Sequence, residues 1–278
     1  MGAVERFRER RSSLAAAAVI AVAAPVLLTG CGQRSEPTGA KVGLYPVTVQ
    51  QPSGPPVVLT RKPDSVAALT PQAATLLSSL LGHKVEPRRS PGNAQLIVTT
   101  PESLSPRTKD VYVAPDESIS DVERALTELG LLLDRPIRAR ELVASIESKR
   151  KLVRARLRGV KPVTVFVDTG FFTTVSTNTL LGDLIREAGG KNIAGPAPQP
   201  GPFPVRTLRR LNPDYYLATS DSGTRLSDLR REPRTRGLRA VRRKGHFAVL
   251  GIKVVQPGGE VGTELLAIAR YLHPDAFR

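Results

Sequence analysis

Residues 66–81, VAALTPQAATLLSSLL, carry the reading that decides the fold. Val66 to Leu69 is a compact apolar run suited to a buried strand. Thr70-Pro71 follows, with Thr70 placed to cap a helix and Pro71 at its first position, where a missing N–H does no harm. Gln72 to Leu81 continues as a helix, and Gly82 ends it. Strand, tight turn and helix form the unit of a parallel α/β sheet. The alternation resumes downstream. Residues 163–167 read as a strand, 168–177 as a loop, and 180–188 as a helix ended by Gly189-Gly190. Residues 207–211 and 226–231 read as short helices, 215–218 and 247–250 as strands, and 261–272 as a terminal helix. On the other side, 95–99 and 111–113 supply two buried strands, and 47–49 and 57–59 two short ones around a Pro/Gly turn.

Two helices separate these blocks. In the first, 120–133, Ser120 with Glu123 makes a capping-box pattern. The second, 138–158, has Leu142, Val143, Ile146, Leu152, Val153 and Leu157 at roughly helical spacing, and Gly159 closes it. The expected class is α/β: two Rossmann-like lobes with parallel sheets, joined by one long inter-lobe helix. The expected boundaries are an N-terminal lobe over 42–134, the joining helix over 135–159 and a C-terminal lobe over 160–278.

The first 41 residues read differently. Arg6, Arg8, Arg10 and Arg11 precede an apolar stretch from Leu14 to Leu28. That stretch is roughly 15 residues, short of the ~20 that span a bilayer, and suits a secretory signal peptide over 1–30. It ends in Leu27-Leu28-Thr29-Gly30-Cys31, which resembles the lipobox of bacterial lipoproteins. The resemblance implies lipid on Cys31, the chain's one cysteine, and an anchor on the outer face of the cell membrane. Residues 31–41, polar with glycine and proline, read as a flexible tether.

The formal charge is +16, and +14 without the four arginines and two glutamates of residues 1–30. A basic body suits nucleic acid, an anionic membrane surface or an anionic ligand. Export, and the lack of zinc spacing or basic-aromatic recognition motifs, speak against nucleic acid. With one cysteine no internal disulfide forms. No Gly-x-Ser-x-Gly elbow, P-loop or His-Glu-x-x-His is present, so no catalytic residue is assigned. His83, His246 and His273 are scattered away from the expected ligand loops, so neither a bare-metal site nor a cofactor is expected.

Six stretches, in order, resemble the helical-backbone, class III substrate-binding proteins of ABC importers. They are VVLTRKPDSVAALTP (57–71), the helix pair over 119–133 and 139–157, LLGDLIREAGGKNIA (180–194), LRRLNPDYYL (208–217), LRAVRRKGHFAV (238–249) and LHPDAF (272–277). The resemblance implies a monomeric receptor that holds a small molecule between its lobes. That molecule is a metal chelate or corrinoid: a ferric siderophore, cobalamin or haem. The receptor then docks on a permease with its ATPase. The chain departs from the family's pattern in two places. Only residues 83–94 fill the place of a longer first-lobe segment, and Ala74-Thr75 stands where a Thr-Glu is common. The alternative is a non-transport lipoprotein that keeps the fold as a sensor or interaction module.

In open parallel sheets ligands bind beyond the carboxyl ends of the strands. That selects Thr70, Pro71 and Gln72 after the first strand, and Asp168, Phe171, Phe172 and Thr173 after 163–167. It also selects Ser220, beside Thr219 and Asp221, and Lys253, beside Gly251. One phenylalanine can stack on a ligand ring while the other packs inward; the alternative is that both pack on a neighbouring helix. Arg88 and Arg89 read as a solvated pair or as cations facing an anionic chelate.

Overall fold

A computed structural model describes residues 44–52, 54–101, 110–196 and 201–278. The signal peptide, Cys31 and the tether expected over 31–41 lie outside the described residues. A short antiparallel pair, β1 (Val47–Val49) and β2 (Val57–Leu59), opens the chain. Two parallel sheets follow. The first has three strands in the order β3 (Val66–Ala68), β4 (Leu96–Thr99) and β5 (Val111–Val113). The second has four, in the order β7 (Gly190–Asn192), β6 (Val163–Asp168), β8 (Tyr215–Thr219) and β9 (Phe247–Leu250). The chain passes from one to the other through α2 (Ile119–Leu132) and then the 21-residue helix α3 (Pro136–Arg156). The architecture is the two-lobed α/β fold expected.

Local chemistry explains the elements. α1 (Pro71–Leu81) begins as the sequence requires: the Ala73 N–H donates to Thr70 Oγ1 at 3.2 Å, and Pro71 occupies the first turn. Gly82, at φ 76°, closes it in a conformation that disfavours side chains. The N-cap of α2 is Ser118 rather than Ser120. Its Oγ accepts from the Asp121 N–H at 3.1 Å and donates to Asp121 Oδ2 at 2.7 Å. The helix starts two residues earlier because Ile119, fully buried, anchors its first turn. α3 likewise starts earlier, at Pro136. Its buried stripe is narrow: Ala139, Leu142, Ile146 and Val153 face the core, while Leu152 stays 39% exposed.

Beyond β6 come α4 (Leu180–Glu187), α5 (Val205–Leu211), α6 (Leu226–Arg231), α7 (Arg239–Arg242) and α8 (Val261–Leu272). β7 and α7 were not anticipated. β7 is Gly-Lys-Asn, a sequence without strand formers, held by pairing with β6. α7 is four residues long, too short to show a period.

One hydrophobic core runs through both lobes. Leu76, Leu96, Leu126 and Leu129 from the first share it with Ile146 of α3 and with Leu184, Leu217 and Leu265 of the second. Packing is close enough to forbid a methyl group at Gly182. A Cβ there would lie 2.5 Å from Ser176 O and 2.7 Å from Thr177 O. Gly182→Ala is therefore expected to cost about 1–3 kcal/mol by displacing the loop after β6; chemical denaturation measures it, and an unchanged midpoint contradicts the contact.

Candidate functional site

The loops after β3, β6, β8 and β9 all leave carboxyl strand ends, and the most elaborately built is the one after β6. Asp168 ends β6, 1% exposed, and four donors surround its carboxylate. Oδ1 accepts the backbone N–H groups of Gly170 (2.9 Å) and Phe172 (3.1 Å). Oδ2 accepts the hydroxyls of Tyr216 (2.6 Å) and Thr224 (2.7 Å). Among the described residues no lysine or arginine pairs with it, and hydrogen bonds hold the group. Burial, with the Asp168 charge beside it, pushes the Tyr216 phenol far above its ordinary value, so it remains a donor.

This hub forces the chain into a tight reversal. Phe171 and Phe172 both have positive φ, 52° and 62°. Each such residue costs roughly 1–2 kcal/mol relative to a right-handed one. The Asp168 bonds, the Thr169 N–H to Thr173 O bond (2.8 Å) and the Phe203 N–H to Phe172 O bond (2.8 Å) hold the turn against that cost. The two rings part company. Phe172 is half-buried against the second hydrophobic cluster, formed by Phe166, Phe203, Tyr216 and Leu229. Phe171 stands 88% exposed.

Asp168, Phe171 and Phe172 line an open cavity of about 380 Å³ with Ser222, Gly223 and Thr224. Asp228, Leu229 and Glu232 complete the wall. The expected residues therefore sort into groups. Asp168 acts through the loops it fastens, since its own oxygens are occupied. Thr173 and Ser220 are exposed but do not line this cavity, and the Ser220 N–H donates to Leu250 O at 2.8 Å. Lys253 is exposed on a 3-10 turn, Ile252–Val255. Thr70 is buried as the α1 cap, with Thr100 Oγ1 at 3.3 Å, while Pro71 is exposed and Gln72 half-exposed. Thr70, Pro71 and Gln72 do not line the Phe171 cavity. Arg88 and Arg89 are exposed, and the Arg88 N–H donates to Ala68 O on the open side of β3.

Two of the three histidines serve the fold, and His83 is exposed. His246 stacks on Tyr215, and its Nδ1 lies 2.7 Å from Asp214 O; His273 Nε2 lies 3.1 Å from Gly189 O. Among the described residues no cluster of three or more His, Cys, Asp or Glu side chains is arranged to hold a metal, and no helix is long and apolar enough to cross a membrane.

Sequence reasoning missed Tyr216, Thr224 and the asparagine that staples the turn's far side. Asn192 donates to Val175 O at 2.9 Å and accepts from the Ala194 N–H at 3.0 Å. It also missed the groups that lock the lobes together. The Ile119 N–H, at the start of α2, donates to Asp183 Oδ2 of α4 at 3.0 Å. Arg150 of α3 binds Glu187 of α4 and Glu123 of α2. On the other side, the Gly259 N–H donates to Ser79 Oγ of α1 at 3.0 Å.

Known proteins share this arrangement. No curated protein matches the sequence. Among solved structures, Helicobacter pylori CeuE in a Ni-His complex superposes with a TM-score of 0.70 at 14% identity, covering 83% of this chain and 89% of that one. The periplasmic heme-binding protein RhuT from Roseiflexus sp. RS-1 gives 0.63 at 17%, covering 76% and 98%. A protein of an ABC-type Fe3+-hydroxamate transport system from Saccharomonospora viridis gives 0.64 at 15%, covering 82% and 99%. At such identities the likeness establishes the fold alone. A family model described as "Periplasmic binding protein" matches residues 20–251. That family is extracytoplasmic and binds solutes rather than transforming them. With more than half its length matched, the chain belongs to the periplasmic binding protein family.

Proposed function

We propose that this protein is the substrate-binding lipoprotein of an ABC importer and carries a metal chelate between its lobes. A ferric siderophore, haem or cobalamin is the class of cargo. The observation that carries the reading is the turn after β6: an aromatic ring, Phe171, 88% exposed on a backbone that Asp168 holds in a costly conformation. An exposed ring so held suits stacking on a flat or ring-bearing ligand. The heme and Fe3+-hydroxamate descriptions of two structural neighbours agree with that class. In this reading Phe171, Phe172, Thr173 and Ser220 face the cargo from one lobe with Lys253 at the rim. Pro71 and Gln72 face it from the other, with Thr70 and Asp168 fixing the loops. The lobes span 42–134 and 160–278, with 135–159 between them.

Covering the Phe171 ring is worth roughly 1.5–3 kcal/mol. Phe171→Ala is therefore expected to weaken cargo binding about ten- to hundredfold while shifting stability by less than about 0.5 kcal/mol. Hydrogen exchange with haem, cobalamin or a ferric hydroxamate added in turn tests the placement. The expected result is slowing at 69–72 and 168–173 together; slowing in one lobe only speaks against a shared cleft. Lipid on Cys31 has its own test. Cys31→Ser is expected to release the protein from membranes, and continued attachment as an integral protein contradicts the anchor.

A second reading has one observation in its favour. The first sheet has three strands, and the segment after α1 crosses the open side of β3 as irregular chain, with the Arg88 N–H on Ala68 O. A lobe so reduced suits a lipoprotein that keeps the fold as a sensor or interaction module. Failure of every chelate to bind favours it.

A further inference from the structure

The four strands of the second sheet are parallel, so their amino ends share one edge, opposite the Phe171 turn. Six cations gather along that edge. Arg158 and Lys161 precede β6, Arg209 and Arg210 end α5 just before β8, and Arg242 and Arg243 precede β9. All six are exposed, and among the described residues none forms an ion pair. The carboxylate that precedes β8, Asp214, is already engaged by Arg239 and by Thr164, whose N–H donates at 3.0 Å and hydroxyl at 2.7 Å. Arg242 and Arg243 line, with Arg239 and Asn212, an open cavity of about 400 Å³.

Cations at helix ends offset the helix dipole, which accounts for Arg209 and Arg210. It does not account for Arg158 and Lys161, which lie beyond the end of α3 at Arg156. Nor does it account for the aliphatic side chains among them. Val160, between Arg158 and Lys161, is 38% exposed, and Leu211, beside Arg210, is 43% exposed. Single-stranded nucleic acid is bound through stacking aromatics as well as charge. The exposed large aromatic of the described chain, Phe171, sits at the other end of the strands. Exposed aliphatics set among unpaired cations fit a bilayer: the cations meet anionic head groups, and the aliphatic groups enter the interfacial layer.

We infer that this edge of the C-terminal lobe is a docking surface for anionic phospholipid, on which the protein rests with its cargo loops turned away from the bilayer. The inference needs an extracytoplasmic chain near a membrane. It does not need a metal-chelate cargo, so either reading can fail without the other.

Hydrogen exchange of the full chain, reconstituted in vesicles of phosphatidylglycerol with phosphatidylcholine and in phosphatidylcholine alone, tests it. The expected result is slowed exchange over 158–162, 206–213 and 239–245 in the anionic vesicles alone, lost at high salt, where the screening length falls to about 3 Å. The variant Arg209→Ser/Arg210→Ser/Arg242→Ser/Arg243→Ser is expected to retain its thermal midpoint and to lose protection about fivefold for each arginine removed. Equal exchange in both vesicles overturns the proposal. So does protection at another face, or the same protection produced by inorganic phosphate or an oligonucleotide without vesicles.

Discussion

Replacing Arg150 with methionine is expected to lower the unfolding free energy by about 3 kcal/mol. The guanidinium is a fork between lobes. Its Nε and Nη2 meet the Glu187 carboxylate of α4 at 3.0 and 2.5 Å, and its Nη1 meets Glu123 Oε2 of α2 at 2.7 Å. The three side chains are 12%, 7% and 13% exposed. Methionine keeps the stem's packing but leaves two carboxylates facing each other with little water. Such a change costs far more than losing a surface pair, because Glu123 loses its guanidinium partner where solvation is poor, while Glu187 keeps Arg154 at 3.6 Å and Arg186 at 3.7 Å.

The cost carries a pH signature. Burial already holds the Glu123 carboxyl above its usual range despite Arg150. A raised carboxyl pKa contributes stability that is complete below the unfolded value and disappears as pH rises through the folded one. Without Arg150 that value moves further up, so the variant's deficit should shrink in acid and grow toward neutrality. Thermal unfolding across pH checks it, and a deficit independent of pH contradicts the buried-carboxylate account.

Asp168→Ala is expected to cost about 4 kcal/mol, since it strands four donors that each contribute roughly 1 kcal/mol. Two are backbone N–H groups that hold Phe171 and Phe172 at positive φ. Their release lets the turn relax, so cargo binding should be lost along with stability. Asp168→Asn separates hydrogen bonding from charge. The amide oxygen can accept from Gly170 and Phe172 while its nitrogen donates to Tyr216 and Thr224, whose hydroxyls reverse direction. Asparagine should therefore cost about 1 kcal/mol and keep the turn. Equal loss in both variants, measured by denaturation and titration, shows that the negative charge itself matters.

These two hubs also mark how far the sequence could be read. Thr70-Pro71 announced the start of the helix because the cap's partner, the Ala73 N–H, lies three residues on. The apolar runs at 163–167 and 215–218 announced parallel strands because burial on both faces leaves a continuous signature. Asp168 was legible as a residue beyond a strand's carboxyl end, but its partners Tyr216 and Thr224 lie 48 and 56 residues away. Without them it reads as a ligand contact rather than the fastening of a turn. Phe171 and Phe172 were legible as a pair, but which ring faces outward depends on backbone dihedrals that no side-chain pattern encodes. Arg150 carried no signal among the many cations of α3. Its partners, 27 and 37 residues away, belong to helices that meet only in the folded chain. The misplaced cap has a local cause: 118–121 and 120–123 both offer a serine followed three residues later by an acid.

The shared core, the Arg150 fork and the Ile119–Asp183 bond make the lobes one body, suited to small rocking rather than wide closure. In the proposed function, cargo capture then rests on loops set in advance, Phe171 foremost. Calorimetric titration of the protein with haem, cobalamin and a set of ferric siderophores tests this most directly. The account predicts saturable one-to-one binding of at least one of them, weakened at least about tenfold by Phe171→Ala. Absence of binding to all of them, or binding indifferent to Phe171, contradicts it.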